Sequence, residues 1–223
     1  MTEAFPFLEV LNSIPGICAG WTDRENGLSI TGDRDEAMRM LRTSHQEQMD
    51  RFAGSGKKWW RAEQVHGISV AVIPCGGESI ANDGLSVIAG VDGLLTNRSK
   101  TPLAIYVADC GVIWLADPEV GAIGLLHSGK KGTAGNILEN AIFTMERELG
   151  ARRDRIVAVL GPCIRVPDYD SDFATNIGNQ ARNLGVKQYV DCGLNTAADT
   201  GRFYSYRKEY GKTGRMMAMM MRD

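Results

Sequence analysis

Apolar positions along the chain change period from segment to segment. Behind Asp33-Arg-Asp-Glu36, which has capping-box spacing, Met38, Leu41, His45, Met49 and Phe52 recur at helical intervals until Gly54 and Gly56. The spacing predicts one amphipathic helix there. Between Trp59 and Thr96 the texture shifts to short apolar runs, with Ile68-Ser-Val-Ala-Val-Ile73 the clearest, broken by Cys75-Gly-Gly and Asn82-Asp-Gly84. These read as strands and turns. The centre is the most hydrophobic part: Pro102 to Ala108, Val112 to Ala116 and Gly121 to Leu126 are nearly continuous apolar runs, as in strands buried on both faces.

Further on, Ile137, Leu138, Ala141, Ile142, Met145 and Leu149 mark one face of a helix closed by Gly150. Ile156 to Leu160 reads as a buried strand ending in Gly-Pro-Cys-Ile164, and a helix from about Ser171 turns Ile177, Ala181 and Leu184 inward before Gly185. Arg202 to Arg207 reads as strand, while Met216 to Met221 fits strand or helix. No linker divides the chain and no internal repeat is seen, so the expectation is a single α+β domain over residues 1–223, a mixed sheet with helices packed on it.

Composition adds exclusions. Hydrophobic residues make up 43% and charged residues 23%, an ordinary globular balance. A net charge of −2 sets up no field for nucleic acid or an anionic membrane, so small molecules are the expected partners. The first residues lack the basic region of a signal peptide, and no apolar run reaches membrane-spanning length. The five cysteines, Cys18, Cys75, Cys110, Cys163 and Cys192, form an odd set without CxxC spacing, which suits a reducing compartment. A cytoplasmic location is expected.

The chain has three histidines, and two of them stand at strand ends. His66 lies where an extended segment breaks before the Ile68 run. His127 ends the Gly121 run, and Cys110 ends the Leu103 run in the same manner. If these runs are neighbours in a sheet, their ends converge, and two imidazoles with a thiolate suit zinc with a fourth position open. The other reading of the same residues is an ordinary buried cysteine and a hydrogen-bonded strand-end histidine. His45, in register with Leu41 and Met49, reads as packing. Cys18, Cys75 and Cys192 lie in loop-like stretches and read as free thiols, whereas Cys163 is ambiguous between a strand-end site and a turn. Gly129 to Gly135, with Lys130 and Lys131, is a basic glycine-rich segment that lacks Walker A spacing, and is either an anion-receiving helix start or a flexible one with solvated lysines.

With these residues in view, the chain resembles the YfiH-like family, long named polyphenol oxidase or laccase and since recognised as purine nucleoside phosphorylases. The resemblance is carried by Gln64-Val-His-Gly67, Asp92-Gly-Leu-Leu-Thr96, Ala108-Asp-Cys110, His127-Ser-Gly129, Gly161-Pro-Cys-Ile164, Phe203-Tyr-Ser-Tyr-Arg207 and Thr213-Gly-Arg215, in family order. It implies an α+β fold and a metal, zinc, held by His66, Cys110 and His127. It also implies phosphate-dependent cleavage of adenosine, inosine or methylthioadenosine, in some members with adenosine deamination by the same site. Asp109 is then a candidate proton acceptor or support for the metal ligands, and Gln64, Lys131 and Arg207 are candidate substrate contacts. The chain departs from the family where His127-Ser-Gly-Lys-Lys-Gly132 replaces a usual His-Ala-Gly-Trp-Arg-Gly, so a lysine point charge stands where an arginine fork is expected. Two alternatives stay open: a metal-free cysteine hydrolase with Cys110 as nucleophile and His127 as base, and a binding module without turnover.

Overall fold

The computed structural model describes residues 5–223. Twelve strands run in chain order: β1 Ile17–Trp21, β2 Trp60–Arg61, β3 Val70–Val72, β4 Glu78–Ile80, β5 Ser86–Ile88, β6 Gly93–Thr96, β7 Leu103–Val107, β8 Gly111–Asp117, β9 Ala122–Ser128, β10 Val157–Leu160, β11 Gln188–Asp191 and β12 Met216–Arg222. The helices are α1 Glu9–Asn12, α2 Arg34–Met40, α3 Arg42–Ala53, α4 Lys130–Ala134, α5 Ile137–Leu149 and α6 Phe173–Leu184. Instead of one mixed sheet there are two large ones, β1-β12-β7-β2 and β11-β10-β8-β9-β6-β3, with β4 and β5 as a separate ribbon.

Strand alternation explains why the central runs are apolar throughout. Val112, Trp114 and Ala116 of β8 join Leu103, Ile105 and Val107 of β7 and Met216, Ala218 and Met220 of β12 in a core between the two sheets. Ile113 and Leu115 point the other way, into a second core with Ile137, Leu138 and Ile142 of α5 and Phe173 and Ile177 of α6. Tyr106, Met217 and Met219 on the outer face of the smaller sheet meet Met38 and Met49 from α2 and α3. The layers are therefore helix, sheet, sheet, helix, in a mixed α/β fold. Trp114 ties the sheets together, its indole N–H donating to the Met219 carbonyl at 3.0 Å.

Several local expectations hold. Asp33 caps α2 by accepting from the Glu36 N–H, Gly54 ends α3, and Gly150 and Gly185 close α5 and α6 in the left-handed conformation. Others need correction. The expected single helix from Met38 to Phe52 breaks at Leu41, because Leu41 is drawn into the inter-sheet core while Met38 and Met49 pack on the outer face. Arg202 to Arg207 forms turns, since both edges of β12 are already taken by β1 and β7. Met216 to Met221 is strand, and Cys18 lies in β1, not in a loop. All five cysteines are free. No helix among the described residues is long and apolar enough to cross a membrane.

His45 packs as its register predicts, buried with its ring centroid 5.0 Å from that of Tyr106 and its Nε2–H donating to the Arg215 carbonyl at 3.0 Å. Burial, aided by the positive charge of Arg61 and opposed by the Arg215 hydrogen bond and Asp83, holds its pKa down at about 4. Because the unfolded imidazole takes up its proton near pH 6.5, its contribution to stability is complete above that pH and is lost as pH falls towards 4. The loss amounts to about 3 kcal/mol by the linkage relation. Chemical denaturation across this range should show the stability of a His45→Gln variant falling less steeply than that of the native chain. Parallel slopes would contradict the assignment.

Candidate metal centre

Strand register assembles the site. β8 and β9 pair with Val112 opposite His127 and Gly111 opposite Ser128, which sets Cys110, one residue before β8, beside the end of β9. Cys110 belongs to the Ala108-Asp-Cys110 link through which the chain leaves β7 in one sheet and enters β8 in the other. β6 pairs with β9 on its other side, Gly93 opposite Leu126, so Asp92 stands next to His127 and its carbonyl accepts the His127 N–H at 2.7 Å. β3 pairs with β6, Val70 opposite Gly93, and the loop before β3 carries His66 to the same place. His66 adopts φ 64°, a left-handed conformation uncommon for a residue with a side chain.

The donor atoms of His66, Cys110 and His127 all lie within 4.8 Å of one another. The two rings meet edge to face with centroids 4.8 Å apart. In a tetrahedral zinc site the donor atoms stand about 3.3–3.8 Å apart, given metal–ligand distances of about 2.0–2.3 Å, so a small contraction completes the geometry. The set fits a metal ion. His127 is buried and Cys110 half-buried, while His66 is exposed, which leaves the centre open on its His66 side.

Asp92 is the residue that sequence reasoning passed over. It is fully buried, and its carboxylate accepts from His127 Nδ1 at 2.7 Å, from the His66 backbone N–H at 2.9 Å and from the Gly67 N–H at 2.7 Å. Burial alone would raise its pKa, but the hydrogen bond from His127 and those from the two backbone amides outweigh it and hold the carboxyl below its ordinary range. Asp92 thus puts the His127 proton on Nδ1, leaves Nε2 free as a ligand, and clamps the His66 loop. The available signal was a carboxylate embedded in the apolar run Val91-Asp-Gly-Leu-Leu95, which has to find partners there.

Burial would also raise the Cys110 thiol, yet the charge of His127 and hydrogen bonds from His127 and His66 bring it down to about 6. His127 is raised in turn to about 9, since the Cys110 thiolate and Asp92 overcome the effect of its burial. Without a metal the pair favours thiolate and imidazolium. The thiolate is the form that ligates. Gly129 follows from packing against this sulfur: a Cβ at that position would stand 2.6 Å from Cys110 Sγ.

The remaining candidates take other places. Asp109 (φ 80°) accepts from Thr196 Oγ1 at 2.7 Å, Ser205 Oγ at 3.1 Å and the Arg207 N–H at 2.7 Å, and its carbonyl accepts from the Ile164 N–H at 2.8 Å. The segments around Ile164 and Ser205 are thereby anchored on the link that carries Cys110. Gln64 spends both ends of its amide on the Tyr106 backbone, donating to its carbonyl at 2.6 Å and accepting from its N–H at 3.0 Å. It braces the strand end, and its amide is already engaged where a substrate contact was expected. Lys131 and Arg207 are exposed, the latter stacked over Tyr169 at 5.0 Å. Within α4 the Thr133 and Gly135 N–H groups are consumed by the Gly129 and Lys131 carbonyls. His45 stays outside the cluster. Cys163 is buried with its thiol pushed up, and Gly161 before it has no room for a Cβ, which would stand 2.6 Å from the Trp114 ring.

The model of the family described as multi-copper polyphenol oxidoreductase laccase matches residues 14–175 and 168–223. The chain belongs to this family. Among curated relatives, the purine nucleoside phosphorylase of Deinococcus radiodurans is 33% identical over 186 residues, covering 72% of this chain and 68% of the relative. The purine nucleoside phosphorylase YlmD of Geobacillus stearothermophilus is 31% identical over 199 residues, covering 74% and 73%. The crystal structure of that YlmD superposes with a TM-score of 0.81 at 25% identity, covering 94% of this chain and 93% of that one. Bacillus licheniformis YfiH shares the fold with a TM-score of 0.76 at 23% identity, over 93% of each chain. The family's description and the relatives' names point to different chemistry. Three histidines cannot supply the many imidazoles that blue and trinuclear copper centres require.

Proposed function

We propose that the chain is a zinc-bearing purine nucleoside phosphorylase acting on adenosine, inosine or methylthioadenosine, with adenosine deamination as a second activity of the same centre. The observation that carries this reading is the convergence of His66, Cys110 and His127 on one open point, with Asp92 orienting His127. The names of the relatives supply the reaction class. A zinc ion held by His66, Cys110 and His127 would supply Lewis acidity at that point.

The chain's own residues do the rest. Asp92 keeps His127 in the ligating tautomer. Asp109 is a positioning residue that holds the Ser205 to Arg207 turn against the Cys110 link. Lys131 and Arg207, exposed cations in the segments flanking the site, draw in phosphate. The lowered Cys110 thiol beside a raised His127 also suits a metal-free cysteine hydrolase. Against that reading stands His66, a third donor that a thiol–imidazole pair has no use for.

Incubation with each nucleoside, with and without inorganic phosphate, tests the proposal. Free base and a sugar 1-phosphate should appear only with phosphate, and arsenate should substitute for it. Lys131→Ala should raise the phosphate KM about two- to fivefold, the modest effect of an exposed charge, with little change in nucleoside KM. Base release of equal rate without phosphate would make the enzyme a hydrolase, and binding without consumption would make it a binding module.

A further inference from the structure

Among the described residues, Arg215 and Arg34 near the centre have no acidic partner. β12 pairs with β7 so that Met216 lies opposite Val107, which brings Arg215 opposite Ala108, two residues before Cys110. Alternation then puts Arg215 on the outer face of the smaller sheet with Met217 and Tyr106, the face that α2 and α3 cover. Arg34 opens α2, and its Nη2 donates to the Glu63 carbonyl at 3.2 Å, next to Gln64 and the His66 loop. Arg61 shares the face, 5.0 Å over the Tyr106 ring, but is matched by Asp83 at 2.6 Å.

Arg215 is only 8% exposed. Its Nη1 donates to the Thr213 and Gly214 carbonyls, both at 2.8 Å, whereas Nε and Nη2 have no hydrogen-bond partner among the described residues. No carboxylate lies within 4.0 Å of Arg215 or Arg34 among the described residues. Arg215 lines a cavity of about 920 Å³ together with His45, Tyr204, Arg24, Asp23 and Glu25, of which Asp23 is matched by Arg202 and Arg24 by Glu209; Arg34 lies outside this lining. His45 fixes the Arg215 backbone through its carbonyl. A guanidinium this deeply buried with two donors unused by the protein gains from an anion that completes it. Burial first and the charge of Arg34 next depress its pKa to about 10, against the opposite pull of Cys110, Tyr206 and Asp109.

We propose that Arg215, assisted by Arg34, seats a tetrahedral oxyanion, and that inorganic phosphate is its occupant. The identity of the ion rests on the phosphorylase reading above; the seat does not. Its planar fork is suited to bidentate contact with phosphate, which a lysine at position 131 cannot provide. Lys131 and Arg207 then recruit the ion, and the buried arginine holds it.

Calorimetric titration of the metal-loaded protein with sodium phosphate, and separately with adenosine monophosphate, tests the seat. Inorganic phosphate should bind the native chain by itself. Arg34→Gln should weaken it about tenfold and Arg215→Gln by more, with Arg215→Lys recovering part of the loss, given the strength of charge-assisted hydrogen bonds. In turnover, phosphate KM should rise with these changes while nucleoside KM stays within about twofold. Circular dichroism and metal content verify folding. If Arg215→Gln does not fold, the half-exposed Arg34 decides the matter. Phosphate binding that depends on both arginines in a protein that consumes no nucleoside would sustain the seat and defeat the phosphorylase reading. Phosphorolysis with unchanged phosphate KM in folded, metal-loaded Arg34→Gln and Arg215→Lys variants would overturn the seat and leave that reading intact. Binding of the nucleotide alone would overturn the free ion as occupant.

Discussion

Replacing Asp92 by Asn should lower metal affinity about 10- to 100-fold and turnover with it, although Asp92 touches no substrate. The carboxylate fixes the His127 proton on Nδ1 and accepts from two backbone amides of the His66 loop. An asparagine can present an oxygen to His127 or to the loop, but it cannot take all three donors with the same charge. It would also leave a buried position short of partners, costing about 1–3 kcal/mol of stability. Competition with a chromogenic chelator measures the affinity directly, and excess metal should restore part of the activity. A variant with native affinity would show that Asp92 only braces the fold.

A second large effect separates metal from thiol chemistry. Cys110→Ala removes a ligand in one reading and the nucleophile in the other, so activity should fall at least about 100-fold in both. Cys110→Asp discriminates. An aspartate keeps an anionic donor, so a metal enzyme should retain measurable metal and a fraction of its turnover, whereas a cysteine hydrolase should retain none. Steady-state rates of both variants, with and without added zinc, read the difference. Equal inactivity of Cys110→Asp and Cys110→Ala while the Asp variant is fully loaded would favour the thiol.

Cys110 and His127 were legible because each ends an apolar run that reads as a buried strand, and strand ends in one sheet share an edge, whereas His66 stands in the loop before β3 and its place came from the family resemblance. The β8 and β9 runs behaved in this way, and their register brings His127 and Cys110 together. Asp92 was harder to assign, since its role depends on β6 lying beside β9, a pairing between strands that are not consecutive. The same holds for Arg215, whose neighbours come from β7 and, through His45, from α3, more than a hundred residues earlier. The division into two sheets was hidden because a strand buried on both faces looks alike whether a helix or a second sheet covers it. Arg202 to Arg207 carries aromatic residues at strand spacing, but its Ser205 hydroxyl and Arg207 N–H serve Asp109 and no ladder. Leu41 kept helical period while its side chain was claimed by a different core than Met38 and Met49. In each case a tertiary contact overrode a locally sound pattern.

The central claim is that His66, Cys110 and His127 hold one metal ion. Elemental mass spectrometry of the native protein, purified without chelators or an affinity tag that binds metal, tests it most directly. The account predicts about one zinc per chain, depleted in each of His66→Ala, Cys110→Ala and His127→Ala and retained in His45→Gln. Metal-free protein with full turnover would contradict it.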